Sequence, residues 1–179
     1  MVLTLQKVFT WIGGLNSNLK SFSIKKATYK DMGFIFKLYN DGVKNSFFNN
    51  NKTITFKQHE KWYKFAIKSP IIFIHICKKN NIPIGYIKYD LIKKQYAIIS
   101  IIINKKYRKK GVASILMKRS LKIIYRKYKI KKFYAGVLKK NLPSRSFFIK
   151  NEFIKVKHPK KNNTFKKSND FFLLSLANL

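Results

Sequence analysis

The sequence predicts one domain of the α/β (α+β) class. We expect about six to seven mostly antiparallel strands in one mixed sheet, flanked by about four helices. Apolar residues alternate along some segments and recur at helical spacing along others, in an order that interleaves strands with helices. The chain has 179 residues, of which 46% are hydrophobic and 16% aromatic, enough to fill one core. We expect residues 21–179 to form the domain and residues 1–20 to be an extension outside it.

The first half is expected to run from a strand through two helices into a hairpin. Residues 22–25 read as a short strand, and Thr28 and Asp31 have the spacing of a capping box that starts a helix ending near Asp41 and Gly42. The remaining elements of this half are a helix over 56–68 ended by Pro70, a strand over 71–77, a turn at 78–81 and a strand over 84–91.

The second half begins with the most informative segment of the chain. Every residue from Tyr96 to Ile103 except Ser100 is apolar or aromatic, which is typical of a strand covered on both faces. An amphipathic helix follows, with apolar residues at 112, 115, 116, 123 and 124 and with Lys118, Arg119, Lys122 and Arg126 expected to face outward. The last expected elements are a strand over 132–137, a helix over 142–151, and a closing pair of strands over 153–156 and 171–174, separated by a polar, basic loop over 158–168.

The junction between that strand and that helix has the layout of a phosphate-binding loop. Its sequence from Arg108 to Ala113 is basic, and Gly111 allows a ligand to approach the backbone closely. The free N–H groups and the dipole of the helix that follows both attract an anion. We therefore expect a diphosphate to bind here, the alternative being a basic turn without a ligand.

The charge of the chain is extreme. Forty Lys and Arg residues oppose six Asp and Glu residues, which gives a net charge of +34 and a field that attracts polyanions. Nucleic acid, an anionic membrane surface and an anionic substrate such as a nucleotide sugar are the partners that such a charge favours. The basic residues are spread along the chain and form no dense patch interleaved with aromatic residues, which argues against specific nucleic-acid binding. A lysine-rich compositional bias is the competing explanation.

Several classes of function are not supported by the composition. The single cysteine, Cys77, cannot form an internal disulfide and indicates a reducing, cytoplasmic compartment. The first fifteen residues carry only Lys7 before Trp11 and do not resemble a signal peptide, and no apolar run is long enough to predict a membrane span. Three scattered His, one Cys and six acids do not suggest a metal site.

Two motifs resemble those of one known superfamily. The pattern of Arg108, Gly111 and Ala113, placed between a strand and a helix, resembles the acetyl-CoA motif Q/R-x-x-G-x-G/A of the GNAT acyltransferases. The segment over 141–153 resembles the later N-x-x-(A/S)…Y-x-x-x-x-F segment of that superfamily. The resemblance covers roughly residues 22–177.

The resemblance implies a fold and a cofactor. In the GNAT fold the fourth and fifth strands splay apart, and the pantetheine of acetyl-CoA lies in the gap, bonded to the backbone as an added strand would be. The residues that the resemblance assigns to the cofactor are Ile101, Ile102, Ile103, Arg108, Lys109, Lys110, Gly111, Val112, Ala113, Ser114, Asn141, Ser144 and Phe148.

A finer resemblance concerns the acceptor. Segments at 38–41, 44–47, 54–63 and 83–87 are similar to the W-R-N-D…R-x-S-F…I-x-x-x-x-H-x-x-W-F…P-I-G pattern of acetyltransferases acting on nucleotide-linked amino sugars of the pseudaminic-acid and related nonulosonate pathways. The resemblance assigns the sugar nucleotide to Asn40, Asp41, His59, Trp62 and Lys88, with Lys44 a further candidate for its diphosphate. A packed core pair is the alternative for His59 and Trp62, and solvated lysines are the alternative for Lys44 and Lys88.

Three departures from the pattern concern catalysis. Ile98 stands where relatives often carry a proton-relaying Glu, Phe148 stands where they carry the acid Tyr, and Tyr39 replaces an Arg. Three explanations are open. Tyr134 and Tyr86 (or Tyr96) replace the missing groups; or the cofactor thiolate needs no dedicated acid while water removes the amine proton; or the active site has decayed. Acetylation of a protein amine and a non-catalytic basic binding module therefore stay open as alternatives, as does a homodimer.

Overall fold

The computed structural model describes residues 22–44, 52–93, 95–157 and 169–176. The expected extension over 1–20, the loop over 158–168 and most of the segment over 44–47 lie outside these residues. The strands are β1 (Phe22–Lys26), β2 (Ile72–Lys79), β3 (Ile82–Ile92), β4 (Tyr96–Ile103), β5 (Lys132–Leu138), β6 (Ile154–Val156) and β7 (Asn169–Ser175). The helices are α1 (Met32–Lys44), α2 (Phe56–Lys68), α3 (Val112–Tyr128) and α4 (Leu142–Lys150), with short 3-10 turns at Tyr29–Asp31 and Lys105–Tyr107.

The seven strands form one sheet in the order β1-β2-β3-β4-β5-β7-β6. Every neighbouring pair is antiparallel except β4 and β5, which are parallel. The parallel ladder is short, since it joins only residues 96–98 to residues 132–134. Beyond Ile98 and Tyr134 no ladder connects the described parts of the two strands, so the sheet splays there, as expected.

The core lies on both faces of the sheet. On one face α3 and α4 cover a large cluster that includes Leu116, Phe133 and Phe172, all fully buried. On the other face α1 and α2 cover a smaller cluster, in which Ile35 and Tyr63 meet the strands. The sheet is therefore buried on both faces, which explains why the sequence of β4 is apolar almost throughout.

The α1 helix is longer than the sequence indicates. It does not end near Asp41 and Gly42 but continues to Lys44, because Gly42 and Val43 are buried and their packing offsets the roughly 1 kcal/mol helix cost of glycine. Its start agrees with the expected pair, since the Asp31 carboxylate accepts hydrogen bonds from the Thr28 N–H and hydroxyl at 2.8 and 3.0 Å.

The hairpin between β2 and β3 is tighter than expected. Both strands are longer, and only Asn80 and Asn81 form the turn, each with a positive φ, 49° and 64°. Two consecutive left-handed residues are what a two-residue turn between strands requires, and asparagine tolerates this conformation.

Two expectations for α3 are wrong. Ile123 is 42% exposed, and the core positions in this part of the helix are instead Ser120, Leu121 and Ile124. Arg119 is half-buried and donates a 2.8 Å hydrogen bond to the Phe22 carbonyl, so it ties α3 to the edge strand β1. In the described part of the chain, none of the helices is long and apolar enough to span a membrane.

Candidate active site

The last residue pair of the β4–β5 ladder marks the vertex of the splay. Ile98 pairs with Tyr134, and the residues of β4 after Ile98 pair only with β3 on their other side. The β4 edge over 99–103 is thus open along the gap among the described residues. An extended ligand can add to such an edge by main-chain hydrogen bonds, the way a further strand would.

The basic loop lies at the far end of this open edge. Arg108 Nε donates a 2.9 Å hydrogen bond to the carbonyl oxygen of Ile103, the last residue of β4. The bond holds the loop against the strand, so one ligand can contact both. Arg108 therefore has a structural role, which could not be predicted from its position in the motif.

The start of α3 provides the N–H groups for an anion. Gly111 precedes the helix with φ +74°, a conformation that favours glycine, and a Cβ on it would meet no atom within 4 Å. The first hydrogen bond of the helix runs from the Ile115 N–H to the Gly111 carbonyl at 3.2 Å. The preceding N–H groups of Val112, Ala113 and Ser114 therefore have no intrahelical acceptor and are available to a phosphate. Lys109 and Lys110 are exposed beside them.

The second motif is placed at α4. Asn141 caps this helix, since its Oδ1 accepts a hydrogen bond from the Ser144 N–H at 3.2 Å. Phe148 is only 4% exposed and packs against Phe153 and Phe172. The ring therefore belongs to the core, and its expected contact with the cofactor stays a prediction.

The face of the sheet toward α2 carries a pair of charges. Lys88 and Asp90 alternate with the buried residues of β3, and Lys88 Nζ lies 2.6 Å from Asp90 Oδ2. The same ammonium group lies 5.9 Å from the centroid of the Trp62 ring. Lys88 pairs with Ser100 across the ladder and Asp90 pairs with Ile98. The charged pair is therefore one strand away from the vertex.

The two tyrosines expected to act in catalysis have different surroundings. Tyr134 is half-buried, forms the vertex with Ile98, and contacts the Tyr96 ring with 5.1 Å between centroids. Tyr86 is 5% exposed beneath α1 and α2, and burial raises the pKa of its hydroxyl above the usual value, with a smaller contribution from Tyr39. Tyr134 thus lies where β4 and β5 separate, whereas Tyr86 lies in the core between the sheet and the two helices; a catalytic role for either stays a prediction.

Two residues expected at a sugar pocket make hydrogen bonds that hold parts of the fold together. His59 is 1% exposed, and its Nε2 donates to the Met32 carbonyl at 3.2 Å; burial lowers the pKa of its ring, partly opposed by this bond. The Asn40 amide bonds the main chain of Ile54 twice, at 2.9 and 3.0 Å. His59 therefore joins α2 to α1, and Asn40 fixes the segment before α2. Of the other expected acceptor contacts, Trp62 is half-buried beside Lys88, and Asp41 is exposed.

Asp90 is a residue that the sequence did not single out. It follows Lys88 by two positions in a predicted strand, so both side chains lie on one face, and this spacing was visible in the sequence. Its proximity to Ile98 was not visible, because that neighbour is set by the register between β3 and β4. The described residues contain no group of three His, Cys, Asp or Glu that could hold a metal ion.

A splayed sheet, an open strand edge and a basic loop that leads to a helix N-terminus are the features of a protein that can bind an extended ligand carrying a diphosphate. The model of the acetyltransferase (GNAT) family matches residues 38–153, and the chain belongs to this family. It is an N-acyltransferase that uses acetyl-CoA. No curated protein matches the chain significantly.

Solved structures show the same fold at low sequence identity. A ribosomal-protein-alanine N-acetyltransferase from Brucella melitensis is 18% identical with a TM-score of 0.68, covering 84% of this chain and 96% of that one. A putative acetyltransferase from Salmonella typhimurium, solved with acetyl-CoA, is 19% identical with a TM-score of 0.71 (88% and 95% covered). A spermidine N-acetyltransferase from Vibrio cholerae, in complex with CoA and spermine, is 19% identical with a TM-score of 0.72 (86% and 94% covered).

Proposed function

We propose that the protein transfers an acetyl group from acetyl-CoA to the amino group of a nucleotide-linked amino sugar, by direct attack of the amine on the thioester. The observation that carries the proposal is the alignment of three features along β4: the vertex at Ile98 and Tyr134, the open edge over 99–103, and the loop held to Ile103 by Arg108. Together they form one continuous surface for an extended cofactor.

The proposed cofactor contacts follow from these positions. The backbone of Ile101, Ile102 and Ile103 would hold the pantetheine, and the N–H groups at the start of α3 would hold the pyrophosphate, supported by Lys109 and Lys110. Asn141 and Ser144 lie at the start of α4, which follows β5 on the opposite side of the gap. Acetyl-CoA supplies a thioester carbonyl that a neutral amine can attack.

The tyrosine at the vertex has a matching role. Tyr134 is half-buried beside Ile98, where the two strands separate, and a phenol there can donate a hydrogen bond to the thiol that leaves. Tyr96, whose ring contacts Tyr134, has its pKa raised by burial and then by Tyr134, so the Tyr96 hydroxyl stays protonated at neutral pH.

The charge of the protein supports an anionic acceptor. With a net charge of +34, the field favours the approach of a nucleotide diphosphate and opposes that of a polyamine or a basic peptide. Lys88 is half-buried at the face toward α2, its ammonium group lies 5.9 Å from the centroid of the Trp62 ring, and it is the proposed contact for the diphosphate. Asp41 and Lys44 at the exposed end of α1 complete the proposed acceptor side.

The proposal is tested by release of free CoA in the presence of a panel of UDP-linked amino sugars. We expect CoA release with at least one 4-amino sugar nucleotide and none with the corresponding sugar that lacks the amine. Release with spermidine or an N-terminal peptide, but with no sugar nucleotide, would replace the proposed acceptor. Absence of acetyl-CoA binding in calorimetry at millimolar cofactor would contradict the enzymatic role altogether.

A further inference from the structure

The Lys88–Asp90 pair has the geometry of a site for an ammonium group. A carboxylate oxygen at 2.6 Å and an indole ring whose centroid is at 5.9 Å are the two contacts that recognise a cationic amine, through a charge-assisted hydrogen bond and a cation–π interaction. In the free protein the Lys88 ammonium group occupies this position.

This ammonium site lies on the face of the sheet covered by α1 and α2, next to the vertex. Asp90 is directly opposite Ile98, so their Cβ atoms are about 5 Å apart, as across any antiparallel pair. Ile98 in turn pairs with Tyr134. A group bound to Asp90 is therefore one strand away from the point where β4 and β5 separate.

Three other acids have basic partners of their own. Asp31 pairs with Lys78 and caps the start of the first helical turn, and Asp170 pairs with Arg145 and Lys155. Glu60 pairs with Lys64 on the exposed side of α2. With so few acids in a chain of charge +34, a half-buried carboxylate beside the vertex is a distinctive feature.

We propose that the Asp90 carboxylate binds the ammonium group of the acceptor, in the position that Lys88 Nζ occupies in the free protein, and takes up its proton. This assignment rests on the proposed function and identifies the proton acceptor of the same site. The acceptor amine replaces Lys88 at the carboxylate, and the released Lys88 ammonium becomes free to neutralise the acceptor's diphosphate. A single substrate carrying both a cation and a diphosphate drives this exchange.

The proton balance of the step is simple. A protonated amine cannot attack a carbonyl, so one N–H proton passes from the ammonium group to the Asp90 carboxylate and from there to water. The neutral amine then forms the C–N bond as the C–S bond breaks. The second proton lost from nitrogen balances the one gained by the thiolate, so the overall products are the amide, the thiol and one proton.

The test compares Asp90→Asn with the wild-type protein, and Glu60→Gln serves as a control that removes one exposed carboxylate from α2. We expect kcat/KM for the acceptor to fall about 100-fold or more in Asp90→Asn, the range typical of losing a general base. The acetyl-CoA dissociation constant should change less than twofold. In Asp90→Asn, log kcat/KM should rise with pH at a slope of about one until the pKa of the free amine, because only amine already neutral in solution can react.

Each other outcome has a separate meaning. Full activity of Asp90→Asn on an acceptor that the wild type acetylates would overturn this assignment and leave the proposed function intact. A matching loss of acetyl-CoA affinity would overturn it as well, since Asp90 would then support the fold or the cofactor. Failure of the wild type with every amine in the panel would instead refute the proposed function, and this assignment with it.

Discussion

Gly85 of β3 and Ile102 of β4 approach so closely that a side chain at position 85 has no room. A Cβ on Gly85 would lie 2.8 Å from the Ile102 carbonyl oxygen and would also overlap the Ile103 side chain. The backbone oxygen cannot move without displacing β4, and β4 is the strand whose open edge we assign to the cofactor. The glycine thus allows β4 to pack at its present distance from β3.

Gly85→Ala is therefore expected to displace β4. We expect a loss of about 1–3 kcal/mol in the free energy of unfolding, as in other overpacked cores, together with weaker acetyl-CoA binding. Urea titration and calorimetry measure the two effects. Gly33→Ala is the matched control, because Gly33 is exposed in α1 and its Cβ would meet no atom within 4 Å. The control should gain about 0.5–1 kcal/mol in stability from helix propensity and bind acetyl-CoA normally.

Gly111 should behave differently from Gly85. A side chain at position 111 meets no atom in the free protein, so Gly111→Val costs only the strain of a left-handed φ, about 1–2 kcal/mol. The same side chain would occupy the space needed by a phosphate above the start of α3. We expect the acetyl-CoA dissociation constant to rise at least about tenfold, which corresponds to about 1.4 kcal/mol, while the protein stays folded. A binding mode based on diffuse charge would leave the constant unchanged and sensitive only to salt.

Buried histidine makes the fold sensitive to acid. His75 is 6% exposed, and its Nδ1 lies 2.6 Å from the Ser120 hydroxyl oxygen; burial, and then the charge of Lys26, lower its pKa to about 4. In the unfolded chain the pKa is about 6.5, so the unfolded state binds the proton first as pH falls. Stability is therefore fully present above about pH 6.5 and decreases toward pH 4, by an amount on the order of 3 kcal/mol.

His75→Gln should remove part of this dependence. We expect the urea midpoint of the wild-type protein to fall between pH 7 and pH 5, and the variant to show a smaller fall from a lower starting value. Measurements above pH 5 keep most carboxylates ionised in both states. Parallel curves for the two proteins would show that His75 does not titrate on unfolding in this range.

The elements that local pattern determines were predicted well. The bounds of β4 and α2 agree with the sequence, since β4 is apolar on both faces and α2 is preceded by Thr55, whose hydroxyl accepts the Gln58 N–H. The splay was predicted from the motifs around Gly111 rather than from the strands themselves. The end of α1 was wrong because burial of Gly42 outweighs its low helix propensity.

The hydrogen bonds of the residues expected on the acceptor side could not be predicted, because they join distant parts of the chain. Asn40 and His59 are polar residues that the resemblance assigns to the acceptor, yet their hydrogen-bond partners are the main-chain groups of Ile54 and Met32. Asp90 was not singled out because only the strand register places it opposite Ile98. Sequence pattern identifies which residues share a face of one element, but not which residue of another element they meet.

Lys88 provides the last prediction, on how the acceptor is recognised. If its ammonium group neutralises a diphosphate once the substrate amine has taken its place at Asp90, Lys88→Met should raise KM for a UDP-amino sugar about tenfold and change kcat little. For a free amino sugar without the nucleotide, KM should not rise, since no diphosphate contact is lost.

Lys57→Met, at an exposed position of α2, controls for the loss of one positive charge. Steady-state kinetics on the two acceptors distinguish the cases. An equal rise of KM for both acceptors would place Lys88 at the sugar or at the amine and would contradict a contact with the diphosphate.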